Sequence, residues 1–87
     1  MGGSDVASSS EVEAQLAEML AELLGVPEVA ADANFFQLGG HSLLAVLLLA
    51  RVEEVFGVEV PVWSFFDAPT VRELAEAVEL SLAGEHV

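Results

Sequence analysis

Residues 38 to 42 read Leu-Gly-Gly-His-Ser, and an apolar run, Leu43 to Ala50, follows at once. An imidazole beside a hydroxyl suggests a base and a nucleophile. A hydrolase, however, needs its base facing the nucleophile and an oxyanion hole next to both. His41 and Ser42 are sequence neighbours, and adjacent residues do not face each other on a helix. The other histidine, His86, lies in the tail. The segment is no Gly-x-Ser-x-Gly elbow, and its glycines lack the Lys-Ser/Thr of a phosphate-binding loop. Asp32 and Asn34 hint at a calcium loop, but Phe36 falls where the next ligand should stand. One chemistry survives: a serine hydroxyl where a loop becomes a helix can carry a phosphodiester, since free N–H groups and the helix dipole favour an anion there. The plain alternative is a serine that merely caps its helix. Gly39 and Gly40 leave room for another protein to reach the hydroxyl.

The elements that must position Ser42 are legible from spacing. Ser10 and Glu13 form a capping box, and Val12, Leu16, Met19, Leu20, Leu23 and Leu24 then recur at helical intervals, with Glu11, Glu18 and Glu22 opposite. Gly25 and Pro27 end that helix, which covers about residues 11–24. A long connection to His41 follows, pinned to the core by Phe35, Phe36 and Leu38; a loop of this length in a small domain is often functional. The second helix is expected from Ser42, as its N-cap, to Phe56, with Gly57 as the stop. Pro61 and Val-Trp-Ser-Phe-Phe suit a short third helix packing Val62, Phe65 and Phe66. A strand at residues 58–62 would lack a partner and is rejected. Thr70 and Glu73 form a second capping box for a last helix with Val71, Leu74, Ala75, Val78 and Leu82 on its apolar face, ended by Gly84. The expected fold is all-α: a small four-helix bundle of three long helices and one short one, with a long first loop. Residues 1–9 read as a flexible linker, 10–84 as the domain and 85–87 as a tail.

On a helical wheel, Ala45, Leu48, Leu49, Val52, Val55 and Phe56 share one side of the second helix and form its core stripe. Leu43, Val46, Leu47 and Ala50 fall opposite, together with Glu53 and Glu54. Either the helix is buried all round, or the second group is an exposed apolar strip suited to docking.

Composition narrows the partners. Two Lys and Arg against fifteen Asp and Glu give 87 residues a net charge of -13. Nucleic-acid binding, which needs cations against phosphates, is argued against. Partners with basic patches are favoured, in contacts that weaken as salt rises. The chain has no cysteine and only two histidines, which speaks against a metal site and excludes disulfides. The longest apolar run is far too short to span a membrane, and no secretory signal is visible. Cytoplasmic residence and a monomer are expected.

The run Asp32-Ala33-Asn34-Phe35-Phe36-Gln37-Leu38-Gly39-Gly40-His41-Ser42-Leu43-Leu44-Ala45 resembles the signature loop of peptidyl carrier proteins, the thiolation domains of nonribosomal peptide synthetases. The resemblance continues through residues 56–61 and 66–71 and covers about 11–83. It implies an acyl-carrier-like fold that is not itself an enzyme, and Ser42 as the covalent attachment point of 4′-phosphopantetheine. A phosphopantetheinyl transferase would supply the arm from coenzyme A; adenylation, condensation and thioesterase-type domains would be the further partners. His41, Leu43, Val46 and Leu47 would form the partner surface. Fatty-acid and polyketide acyl carriers share the fold but usually have Asp before the modified serine, so Gly39-Gly40-His41 points to the peptidyl branch. A helical interaction module without a prosthetic group is the other alternative. This sequence departs from the family at Val46 and Leu47, where peptidyl carriers usually mix in polar or basic residues.

Overall fold

The computed structural model describes residues 9–84, with side chains from Glu11 onward. Four helices follow one another: α1 (Ser9–Leu24), α2 (Ser42–Phe56), α3 (Val62–Asp67) and α4 (Val71–Leu82). No strand occurs among the described residues, and Val58 and Val60 instead bury their side chains from an extended connection. α1 packs chiefly on α4 and also on α2, while α3 packs on α2. The architecture is the expected all-α bundle with a long first loop.

Each long helix buries one stripe, as a 3.6-residue period requires. Val12, Leu16, Met19 and Leu20 of α1 meet Val71, Leu74, Ala75 and Val78 of α4 in a single core. Ala45, Leu48, Leu49 and Val52 enter it from α2. No polar or charged side chain is buried among the described residues. Two exposed carboxylates that the spacing put outside, Glu18 and Glu22, are outside.

The helix ends differ from expectation in instructive ways. α1 starts at Ser9, so Ser10 lies within the helix rather than at its cap; its side chain falls outside the described residues, as do residues 1–8 and 85–87. α2 stops at Gly57, whose φ of 72° is the left-handed conformation glycine adopts freely, and whose N–H donates to the Glu53 carbonyl at 2.8 Å. At the start of α4 the Glu73 N–H donates to Thr70 Oγ1 at 3.2 Å. The reciprocal half of the capping box is absent, because the Thr70 N–H donates to the Ala68 carbonyl at 3.0 Å. The Arg72 N–H, a second orphan of that first turn, donates to the Ala31 carbonyl in the long loop at 2.9 Å.

Four apolar residues expected inside are on the surface. Val55 is 53% exposed and Leu82 49%, each in the last turn of its helix. In α3 only Phe65 is buried; Val62 and Phe66 share its face at helical spacing but lie at the rim of the core, 37% and 41% exposed, Phe66 resting edge-on against Phe36. Arg51 on α2 and Glu22 on α1 form an ion pair at 3.1 Å between exposed side chains. Screened pairs of this kind contribute about 0–1 kcal/mol, so apolar packing holds α1 on α2.

Thr70→Ala removes the one side-chain cap of α4 and should cost about 1 kcal/mol. For a domain of this size the melting temperature should fall by about 4–8 °C. An unchanged melt would show that the loop carbonyl of Ala31, and not Thr70, holds the start of α4.

Candidate functional site

Ser42 is the first residue of α2, not its cap. The cap position belongs to His41, which is extended (φ −148°, ψ 177°) and makes no side-chain cap hydrogen bond. The first backbone bond of the helix runs from the Ala45 N–H to the His41 carbonyl at 2.9 Å. The N–H groups of Ser42, Leu43 and Leu44 therefore precede the ladder and have no helical acceptor. A capping serine would engage its own hydroxyl with one of these donors. One position further on, Ser42 leaves them free and is itself exposed. Among the described residues its hydroxyl has no hydrogen-bond partner. The correction sharpens the chemistry: an unengaged nucleophilic oxygen stands beside three unpaired donors at the positive end of a helix dipole. Both features fit a phosphodiester on Oγ, whose anionic oxygens would meet those donors.

The loop that delivers Ser42 is folded onto the bundle by backbone and side-chain bonds. Asn34 Oδ1 accepts from the N–H of Phe36 at 2.8 Å and of Gln37 at 3.1 Å, closing a side-chain-capped turn. The Phe35 N–H donates to the Pro69 carbonyl at 2.8 Å, tying the loop to the α3–α4 junction. The Phe35 ring is fully buried, as Phe35 was expected to be, and Phe36 and Leu38 pack half-buried beside it. Gly39 has φ 108°, a region L-residues rarely adopt, so the chain turns toward α2 there. The Gly40 N–H then donates to the Phe35 carbonyl at 3.0 Å.

The outer side of α2 is exposed and apolar. Leu43 is 64% exposed and Val46 and Leu47 48% each, whereas the adjacent Leu48 is wholly buried. His41 and Ser42 are exposed at the head of the same helix. All five residues singled out in the sequence are thus accessible together at one end and face of α2. Trp63 on α3, 73% exposed, escaped the sequence reading. The signal was present: with Phe65 inward, a residue two positions earlier is turned by about 200° and must face solvent.

Comparison with known proteins places the chain in a family. Residues 14–78 match the model of the family described as "Phosphopantetheine attachment site". The chain is 54% identical over 61 residues to a probable non-canonical nonribosomal peptide synthetase of Salinispora arenicola, covering 70% of this chain but 1% of that protein. It superposes with a TM-score of 0.79 and 40% identity on a chain from a complex of the phosphopantetheine transferase Sfp, coenzyme A and a peptidyl carrier protein, covering 85% of this chain and 96% of that one. A solution structure described as a prototype for the peptidyl carrier domains of modular peptide synthetases matches with a TM-score of 0.72 and 43% identity, covering 78% and 90% of the two chains. The chain belongs to the phosphopantetheine attachment-site family, as a carrier domain of the peptidyl type. Its prosthetic group is 4′-phosphopantetheine.

Two substitutions one position apart read the orientation of α2. Leu47→Glu should leave stability within about 0.5 kcal/mol, as surface changes do. Leu48→Glu places a carboxylate in a core without buried polar partners and should unfold much of the domain. Equal thermal melts for the two variants would mean that the outer face of α2 is covered.

Proposed function

We propose that Ser42 is the residue that carries the phosphopantetheine arm, and that the domain holds aminoacyl or peptidyl groups during nonribosomal peptide assembly. The observation that supports this best is the exposed, unpartnered Ser42 hydroxyl at the first position of α2. In the transfer, Ser42 Oγ attacks the pantetheine-side phosphorus of coenzyme A. A serine–phosphate ester forms, the pyrophosphate bridge breaks, 3′,5′-ADP leaves, and the serine proton passes to a base of the transferase. Once attached, the arm supplies a thiol that holds the acyl group as a thioester. What this chain supplies is the hydroxyl, the unpaired donors for the phosphate, and a surface for the enzymes that load and unload it.

In this reading the domain performs no catalysis of its own. The Leu43, Val46 and Leu47 face, with His41 beside it, docks a phosphopantetheinyl transferase first and then adenylation, condensation and thioesterase-type domains in turn. Its supporting observation is exposure: three large aliphatic residues turned to solvent on a helix whose other side is fully packed. The requirement for coenzyme A and activated amino acids suits the cytoplasm, and no helix among the described residues is long and apolar enough to cross a membrane.

Incubation with coenzyme A and a phosphopantetheinyl transferase, followed by intact mass, tests the assignment. The wild type should gain one phosphopantetheine per chain, and Ser42→Ala should gain none while melting within about 0.5 kcal/mol of wild type, since Ser42 caps nothing. Modification of Ser42→Ala would move the site elsewhere. A wild type that never gains mass would favour an unmodified interaction module.

A further inference from the structure

The two glycines before His41 are glycine for different reasons. At Gly39 a side chain would have open space, and the demand is the positive φ. Gly40 has no such φ; a Cβ built there runs into the Phe35 ring, with Cε2, Cδ2 and Cζ all within 2.6 Å. Three adjacent ring carbons at nearly equal distance put that point over the face of the ring, not at its rim. Carbon atoms pack at about 3.5–4.0 Å, so an added methyl would force a displacement of about 1 Å.

The ring has nowhere to go. Phe35 is fully buried. Phe36 stands edge-on to it with centroids 5.2 Å apart and an 82° interplanar angle, and Phe65 of α3 does the same at 5.2 Å and 70°. Phe36 is in turn held edge-on by Phe66 at 5.5 Å. The yielding part must be the backbone at residue 40, two positions before Ser42, which is also tethered to the Phe35 carbonyl. We infer that Phe35 is a positioning residue for the transfer to Ser42: the face of its ring is the floor on which Gly40 rests, and it fixes the height of the His41–Ser42 start of α2. The inference rests on the reading of Ser42 as the attachment residue. It assigns to a core aromatic a part in presenting the nucleophile, a displacement of about 1 Å being enough to slow a reaction by orders of magnitude.

Steady-state transfer from coenzyme A, on variants whose folding is verified by thermal melts, tests it. Gly40→Ala should lower kcat by about tenfold or more, with the KM for coenzyme A unchanged. Combined with Phe35→Met, whose flexible unbranched chain can make space for the methyl, it should recover to within about twofold of Phe35→Met alone. Gly39→Ala, strained by its φ and not by the ring, should gain no such rescue. Gly40→Ala at the wild-type rate, or an equal deficit with and without Phe35→Met, would overturn the proposal. The wild-type protein offers a check that needs no variant: in its proton NMR spectrum one Gly40 α-proton should lie well upfield of its geminal partner, shielded by the ring face. Equivalent α-protons would also overturn it. A wild type that takes no phosphopantetheine on Ser42 would instead sink the attachment reading, and this inference with it.

Discussion

The connection between α1 and α2 has no regular structure to hold it, and ordering each of its residues costs about 1–2 kcal/mol of backbone entropy. Val29 is buried at one end of it, but its central hold is one buried aromatic, Phe35, clamped by Phe36 and Phe65 and bonded through its N–H to the Pro69 carbonyl. That anchor brings together the loop, the short α3 and the α3–α4 junction. The Arg72 N–H bond to the Ala31 carbonyl closes the same circuit from the other side. Ser42 inherits its place from this arrangement, because the chain passes over the Phe35 ring and turns at Gly39 immediately before α2 begins.

α2 has to satisfy two masters, and the helical period separates them. Ala45, Leu48, Leu49 and Val52 bind the helix into the core, while Leu43, Val46 and Leu47 remain on the surface. Polar residues on the outer face would be neutral for folding, so the apolar choice there is not explained by stability. Retention of three large aliphatic groups in water makes sense where another protein periodically covers them. The high acidic charge opposes association of such a face with a second copy.

Much of this was legible in the sequence, and the failures share a physical cause. Periodicity identified the buried stripes of α1, α2 and α4 because a helix needs one apolar face wherever a neighbour lies along it. It misplaced Val55, which stands at the edge of the α2 stripe beside a groove lined by α1, and Leu82, the last residue of α4. In α3, composition placed three residues on one inward face, and all three share it, but only the central Phe65 is covered while Val62 and Phe66 lie at the rim of the core. The serine at the head of α2 was legible as a candidate but not as a position. Residue type makes serine a good cap, yet the backbone gives that place to His41, and only coordinates show the hydroxyl unengaged. Gly39 and Gly40 look alike in a sequence; the ring beneath the second is a contact between residues five apart that no local rule reveals.

The charge pattern and the apolar face together set how such a domain can dock. Long-range attraction by a net charge of -13 raises the rate of encounter with a basic partner and fades with salt. It does not hold the complex, since exposed ion pairs are individually weak. In the docking proposed above, holding would fall to Leu43, Val46 and Leu47, a few side chains against the roughly 800 Å² per partner of a standard stable interface. Fast arrival and a small apolar contact make a complex that forms readily and separates readily. A carrier that must visit several enzymes in turn needs both properties, and enlarging the apolar strip would lengthen each visit at the expense of the next.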